Sequence, residues 1–271
     1  MSFLNVSAYR FVDLDDLPSL RDRLDGSAAA AGLKGTILIA REGINLFLAG
    51  AEPALRGWIA STLHGDARFA DLATKDSFSD APPFRRLKVR IKDEIIRMGR
   101  PAIRPQRGRA PSVAPAVLAR WLAQGHDDAG REIALLDTRN AFEVDAGTFV
   151  GAHDWRLAKF SDFPAAFEAR RAELSGKAVV SFCTGGIRCE KAALYMGERA
   201  LPGVLQLEGG ILGYFAATGG AAPGWEGRCF VFDERRTVDA GLAPDGPPPA
   251  ERATIAAPSR QVGAPAACKP W

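Results

Sequence analysis

Three short stretches in the second half of the chain consist almost entirely of apolar residues. They cover residues 133–136, 178–182 and 204–207, and segments with helical spacing of apolar residues lie between them. A strand with one face in solvent alternates apolar and polar residues, so a strand that is apolar throughout is covered on both faces. Strands of this kind, separated by helices, predict a parallel, doubly wound α/β sheet.

The first part of the chain has a different pattern, and its 271 residues allow about two domains at roughly 150 residues each. Alternating apolar residues predict strands, and apolar residues three or four positions apart predict helices. In chain order we expect a strand at 5–12, a helix at 14–31, a strand hairpin at 36–40 and 44–48, a helix at 53–63 and a strand at 86–91. This βαββαβ order predicts a ferredoxin-like (acylphosphatase-like) domain over residues 1–95.

Positive charge is concentrated between the two predicted domains. Residues 85–109 contain ten basic and two acidic side chains, although the whole chain has a net charge of only +3. Concentrated basic charge is typical of contact with a nucleic acid backbone, and it also occurs in linkers that bind nothing. Because Pro and Arg are frequent and apolar periodicity is absent, we predict an exposed basic linker over 96–116. The second domain is then expected over 117–233, and the Ala- and Pro-rich residues 234–271 are predicted to form a disordered tail.

The segment after the second apolar strand has the residues of a reactive cysteine site. Cys183 follows that strand at its carboxyl end, where open α/β sheets place their sites, and we expect it to be exposed there. The loop that leads into the next helix consists of Thr184, Gly185, Gly186, Ile187 and Arg188. Backbone N–H groups at the helix N-terminus and the Arg188 guanidinium are expected to lower the pKa of the thiol. Only four residues separate Cys183 from Arg188, one fewer than in protein tyrosine phosphatases, which favours a sulfur-sized anion over a phosphate.

Several segments together resemble known families. The Cys183 loop, with residues 135–143 and 147–152, resembles the rhodanese domain. The longer string 183–192, together with other segments, is similar to the tRNA uridine hydroxylase family. Those other segments are 34–45, 207–211 and 225–233. The likeness covers residues 3–235 and implies a rhodanese-like fold for the doubly wound second domain.

The resemblance implies an activity, namely oxygen-dependent hydroxylation of the wobble uridine of tRNA, at position 34, to 5-hydroxyuridine. On matching positions it makes Cys183 the catalytic cysteine, residues 184–188 the active-site loop, and tRNA the partner of the basic residues. The side chains expected to bind tRNA are Arg97, Arg100, Arg104, Arg107 and Arg109. Molecular oxygen is then a co-substrate. The cofactor is otherwise unknown, because the sequence shows no metal-ligand spacing and no flavin or nicotinamide motif.

Three more residues are candidates for accessory roles. Cys189, six residues after Cys183, is placed either to resolve a sulfenic acid or persulfide on Cys183 or to pack in the core. Asp137 and Arg139 follow a predicted strand, and they either reach the loop or brace the structure.

Two other functions would use the same loop. A sulfurtransferase would take sulfane sulfur from thiosulfate or another persulfide onto Cys183 and pass it to an acceptor. A non-catalytic rhodanese-like module would only bind a partner, and the intact Cys183 and Arg188 argue against it.

Residues 1–17 and the longest uncharged stretch of the chain indicate where in the cell the protein is expected. A secretion signal begins with basic residues that an apolar stretch follows, whereas residues 1–17 are acidic. The longest uncharged stretch, residues 209–225, is interrupted by glycines and a proline. We therefore expect no secretion signal, no membrane span and a cytoplasmic protein with free thiols.

Overall fold

The structure is a computed structural model that describes residues 2–244. Its N-terminal domain is a five-stranded sheet with two helices. In chain order the elements are β1 (Phe3–Phe11), α1 (Leu17–Ala30), β2 (Lys34–Ala40), β3 (Gly43–Ala51), α2 (Glu52–Trp58), β4 (Lys75–Ser79) and β5 (Leu87–Ile91). A π-helical turn, Ile59–Leu63, continues α2. The strand order is β4-β1-β3-β2-β5, and each neighbouring pair is antiparallel except β2 with β5.

The ferredoxin-like fold is confirmed, whereas the position predicted for its last strand is wrong. The strand that completes the fold beside β1 is β4, and the residues predicted for it form β5, an additional strand parallel to β2 at the opposite edge. β4 has one large apolar side chain, Phe78, which is exposed. An edge strand of this composition offers no apolar alternation to detect.

Strand alternation gives this sheet two different faces. On β3, Ile44 and Leu46 are buried in the core beneath α1 and α2. Asn45 and Phe47, one position further on in each case, point to the other face. That second face is turned toward the second domain, so the sheet itself becomes part of the boundary between the domains.

The second domain contains a five-stranded parallel sheet in the order β6-β11-β10-β7-β9. Its strands are β6 (Ser112–Val113), β7 (Ile133–Asp137), β9 (His153–Asp154), β10 (Ala178–Phe182) and β11 (Val204–Leu207). The helices are α3 (Pro115–Gln124), α4 (Ala141–Val144), α5 (Phe163–Arg170), α6 (Ile187–Glu198) and α7 (Gly210–Ala217). Short ladders pair β8 (Gly147–Phe149) with β12 (Trp225–Gly227) and β13 (Cys229–Phe230) with β14 (Thr237–Val238). None of the described helices is long and apolar enough to cross a membrane.

The prediction of a doubly wound parallel sheet is confirmed by burial on both of its faces. Every residue of β10 is buried. Val179 belongs to a core cluster with Phe163 and Met196, whereas Val180 belongs to a second cluster with Tyr214. Because consecutive residues of a strand face opposite sides, a strand between two cores is buried along its whole length.

Residues 96–116 are more tightly packed than the predicted exposed linker. Met98 and Ile103 are buried in the core of the second domain, and Ser112–Val113 pairs with β11 as the edge strand β6. The five arginines of this segment are nevertheless exposed. The segment is therefore attached to the second domain through its few apolar residues and presents its charges to solvent.

Ordered structure also continues beyond residue 233, the predicted end of the second domain. Thr237–Val238 forms β14 against β13, and Val238 is buried. Two residues are too short a pattern to detect in an Ala- and Pro-rich stretch. Residues 245–271 of the predicted tail lie outside the described residues.

Candidate active site

Cys183 lies in the loop between β10 and α6, where the sequence placed it. Gly186 precedes the helix with a φ of 101°, a conformation that glycine adopts without strain. A Cβ on Gly186 would also lie 3.0 Å from the Tyr9 hydroxyl of the N-terminal domain. Glycine at this position therefore allows both the tight turn of the loop and the close approach of the other domain.

The sulfur of Cys183 is held by groups that favour its anion. The Gly186 N–H donates a hydrogen bond to Sγ at 3.2 Å, and the Sγ of Cys189 lies 4.0 Å away. Burial by itself disfavours the charged form, but the Cys189 thiol, the positive charge of Arg188 and backbone N–H groups of the loop outweigh it. The net effect is a pKa of Cys183 well below its ordinary value.

The expectation that Cys183 is exposed is wrong, because its accessible surface is 0%. The loop folds over the sulfur, and α7 closes it from the other side: the Ile211 N–H donates to the Cys183 carbonyl at 2.9 Å. A spacing pattern shows which residues meet in the loop, but it does not show what covers them.

Arg188 has a buried partner that the sequence analysis did not assign. Its Nη1 and Nη2 donate to the two carboxylate oxygens of Glu143 at 2.5 and 2.7 Å, and both side chains are almost fully buried. Glu143 is positioned at the start of α4, where it also accepts a hydrogen bond from the Asn140 N–H at 3.1 Å. Arg188 thus acts on the sulfur through its charge, while Glu143 holds the guanidinium. A buried guanidinium requires a carboxylate, so the sequence could indicate an acidic partner for Arg188 but not which one.

Asp137 and Arg139 form a second buried ion pair at the end of β7. Arg139 Nη2 donates to Asp137 Oδ2 at 2.6 Å and to the Gly147 carbonyl at 2.6 Å. Thr148 Oγ1 donates to the same Asp137 oxygen at 2.8 Å. Arg139 Nη1 also donates to the Glu143 carbonyl at 3.2 Å. These contacts join β7 to β8 and α4 rather than to the sulfur of Cys183.

Cys183 borders a cavity of about 580 Å³ that lies between the two domains. The N-terminal sheet contributes its second face, the segment 95–100 forms another wall, and the Cys183 loop closes the bottom. The polar side chains among the lining residues include Ser7, Tyr9, Asn45, Asn140, Lys159 and Arg188, and Phe47 and Phe232 add aromatic surface. Cavities of this size hold small organic molecules. The sequence analysis did not predict that the N-terminal domain contributes to the site.

Two buried polar contacts hold helix α6 against the N-terminal domain. The Tyr9 hydroxyl donates to Glu190 Oε2 at 2.8 Å, and burial together with the Glu190 charge raises the pKa of Tyr9 well above its ordinary value. Lys191 Nζ lies 2.8 Å from Glu42 and 2.7 Å from Glu94, and it donates to the Ile96 carbonyl. The helix that begins at the Cys183 loop is therefore fixed to both domains.

The five arginines predicted to bind tRNA are not all in the same surroundings. Arg97 and Arg100 line the Cys183 cavity. Arg104 and Arg107 line a neighbouring groove that also includes Arg100. Arg109 is 66% exposed, and its Nε donates to Glu190 at 3.3 Å.

Comparison with known proteins matches both parts of the chain. The family profile described as "UPF0176 acylphosphatase like domain" matches residues 3–95. A tRNA uridine(34) hydroxylase of Bordetella petrii is 60% identical over 243 residues, which cover 90% of this chain and 95% of that protein. The tRNA uridine(34) hydroxylase of Variovorax paradoxus is 62% identical over 89% of each chain. The solution structure of a rhodanese-like domain from Anabaena sp. aligns with a TM-score of 0.34 and 19% identity, covering 43% of this chain and 79% of that domain.

Proposed function

This chain belongs to the tRNA uridine(34) hydroxylase family, and from that membership we propose that it hydroxylates uridine 34 of tRNA to 5-hydroxyuridine with molecular oxygen. Cys183 is its reactive residue, and 184–188 is the active-site loop. The observation that carries the proposal is identity near 60% over nine-tenths of the chain. Because its substrate is tRNA, we also propose that it acts in the cytoplasm.

The cavity supports this proposal by its size and by its lining. A uracil base buried in an anticodon stem-loop is reached by splaying it out of the stack, as single-stranded RNA bases allow. A volume of about 580 Å³ accommodates a nucleoside, and Asn45 and Asn140 offer amide groups for the edge of a base. The base would then reach the bottom of the cavity, beside the loop that covers the Cys183 sulfur.

The exposed arginines support binding of the tRNA backbone. Arg97 and Arg100 lie on the wall of the cavity, and Arg104 and Arg107 lie in the adjoining groove, which also contains acidic residues, among them Asp93 and Glu94. Phosphate contacts position an RNA without reading its sequence. In this proposal they hold the anticodon arm while the cavity selects the uridine.

The test is the conversion of uridine 34 in unmodified tRNA by the purified protein in air and in the absence of oxygen. We expect 5-hydroxyuridine, detected by nucleoside mass spectrometry, only with oxygen and only when Cys183 is present. Cys183→Ser should abolish the product, while Cys229→Ser, a change at a buried cysteine on β13, should retain it. Transfer of sulfur from thiosulfate to cyanide without any 5-hydroxyuridine would instead identify a sulfurtransferase.

A further inference from the structure

Two buried thiols lie together beneath the cavity, and the proposed function uses only one of them. The Sγ atoms of Cys183 and Cys189 are 4.0 Å apart, and both residues have 0% accessible surface. Cys189 lies in the first turn of α6, and its thiol is 3.0 Å from the Gly186 carbonyl. A disulfide bond is about 2.05 Å long, so the two sulfurs must approach each other by about 2 Å to form one.

Hydroxylation by molecular oxygen creates a need for electrons. One oxygen atom enters the product at C5 of uracil, and the other leaves as water. Oxygen gains four electrons in this reaction, of which the C–H bond supplies two. The other two must come from a reductant close to the reacting atoms.

We propose that the Cys183–Cys189 dithiol is this two-electron reductant, and that each hydroxylation leaves the pair as a disulfide. The inference rests on the proposed function, because it takes oxygen and uridine as the substrates. It assigns Cys189 a direct part in the reaction, through the sulfur that closes the disulfide.

The two thiols supply two electrons and two protons: the Cys183 proton goes to the uridine oxygen, and the Cys189 proton leaves with the water, whose other hydrogen comes from the C5–H bond. Insertion of oxygen at C5 gives a hydroperoxide, and the Cys183 thiolate breaks its O–O bond by taking the outer oxygen. The hydroxylated uridine keeps the inner oxygen and receives the proton that the Cys183 thiol released, while Cys183 becomes a sulfenic acid. The Cys189 sulfur then bonds to the Cys183 sulfur, the S–O bond breaks, and the oxygen leaves as water with the Cys189 proton. A second dithiol, of the kind that reduces protein disulfides, restores both thiols for the next cycle.

The different surroundings of the two sulfurs fit these two roles. Cys183 borders the cavity and receives the Gly186 N–H, which suits a thiolate that meets the substrate. Cys189 lies behind it against the Gly186 carbonyl, a hydrogen-bond acceptor that suits a protonated thiol. The attacking sulfur and the resolving sulfur are therefore already distinguished before oxygen arrives.

A single-turnover experiment tests the inference. The protein is first reduced and then freed of reductant in the absence of oxygen. It is next mixed with one equivalent of unmodified tRNA in air. Trypsin cleaves after Lys177, Arg188 and Lys191, so residues 178–188 and 189–191 separate unless a disulfide joins them. We expect one joined peptide pair for each 5-hydroxyuridine formed, and no joined pair in the same time when tRNA is omitted. Product formed while both cysteines remain open to alkylation would overturn the inference.

Two variants sharpen the result. Cys189→Ser should still form up to one product per protein, but it should leave Cys183 as a sulfenic acid that dimedone traps. Cys229→Ser should match the unaltered protein in product and in joined peptides. If Cys189→Ser does not fold, the stoichiometry of the unaltered protein still decides the question. No product even with oxygen and excess dithiol would contradict the proposed function, and the inference would fall with it.

Discussion

At the scale of single residues, Cys183 combines two properties that oppose each other, because it is fully buried and yet surrounded by groups that favour its anion. Burial alone would raise the pKa of a thiol by removing water from the charged sulfur. Here the Cys189 thiol, Arg188 and loop N–H groups reverse that effect. The reactive form is thus maintained by a few fixed contacts, and removing one of them should be measurable.

We predict that alkylation of Cys183 by a small reagent has a pH midpoint below the free value of about 8.5. The rate follows the thiolate fraction, so a lowered pKa keeps it high down to lower pH. Cys229 provides an internal comparison, because burial raises its pKa to about 12 and it should react only in more alkaline solution. Cys189→Ala should shift the Cys183 midpoint upward, since it removes the largest favourable contact. A midpoint for Cys183 at or above the free value would contradict this account of the loop.

The Cys183 loop could be predicted from the sequence because its chemistry depends on neighbours along the chain. Cys183, Gly186 and Arg188 occur within six positions, so their spacing defines the turn. Glu143 is different, since it meets Arg188 from 45 positions away. Any of 32 acidic residues could have filled that role, and only the fold selects one.

At the scale of elements, helix α6 connects the Cys183 loop to the N-terminal domain through one buried lysine. Lys191 is 1% exposed and pairs with Glu42, which follows β2, and with Glu94, which follows β5. Burial raises the pKa of Glu42 in spite of the Lys191 charge. For Glu94 burial also acts upward, but Lys191 and backbone N–H groups hold its pKa below the ordinary value.

We predict that Lys191→Met destabilises the protein by about 3–5 kcal/mol near neutral pH, because it leaves two carboxylates without their cation. Their folded-state pKa values should then lie above the unfolded ones. Such groups bind more protons when folded, so stability is lost as the pH rises through their folded pKa. The loss should therefore be smaller at pH 5 than at pH 7.5, as measured by urea unfolding.

The matched control for this prediction is a lysine in a surface ion pair. Lys177 lies 2.7 Å from the exposed Glu132, and Lys177→Met should cost about 1 kcal/mol or less. Equal losses at both pH values in Lys191→Met would show that the two carboxylates are not what the lysine stabilises.

Strands and helices could be predicted from the sequence where burial produces a long enough run or periodic spacing of apolar residues. The five residues of β10, four of them apolar, indicate their strand, whereas β6 and β14 have two residues each and carry no periodicity. These short strands form because a partner strand is already in place. Their hydrogen bonds come from tertiary structure rather than from local preference.

At the scale of the whole molecule, the cavity is a property of two domains together. Its walls come from the second face of the N-terminal sheet and from the Cys183 loop, and the contact between Tyr9 and Glu190 spans 181 positions of sequence. Each domain could be predicted from its own pattern of strands and helices. The cavity could not, because neither pattern specifies which faces of the two domains meet.

The arrangement also defines how a large RNA would approach the cavity. Arg97 and Arg100 line the cavity itself, and Arg104 and Arg107 continue along one side of it. A tRNA whose anticodon base enters the cavity would place neighbouring phosphates over this exposed segment. Each phosphate contact releases counterion from the RNA, so affinity should fall as salt rises.

We predict that the double variant Arg104→Gln, Arg107→Gln binds tRNA more weakly. The slope of log affinity against log salt should also decrease, by about 0.7 to 0.9 for each phosphate that the arginines no longer neutralise. The reduction should be the same for tRNAs of different anticodon sequence, because phosphate contacts carry no base information. Arg120→Gln, which removes an exposed arginine from α3 away from the cavity lining, should leave the slope unchanged. Binding titrations at several salt concentrations measure these slopes directly. An unaltered slope in the double variant would mean that this part of the basic segment does not contact the tRNA backbone.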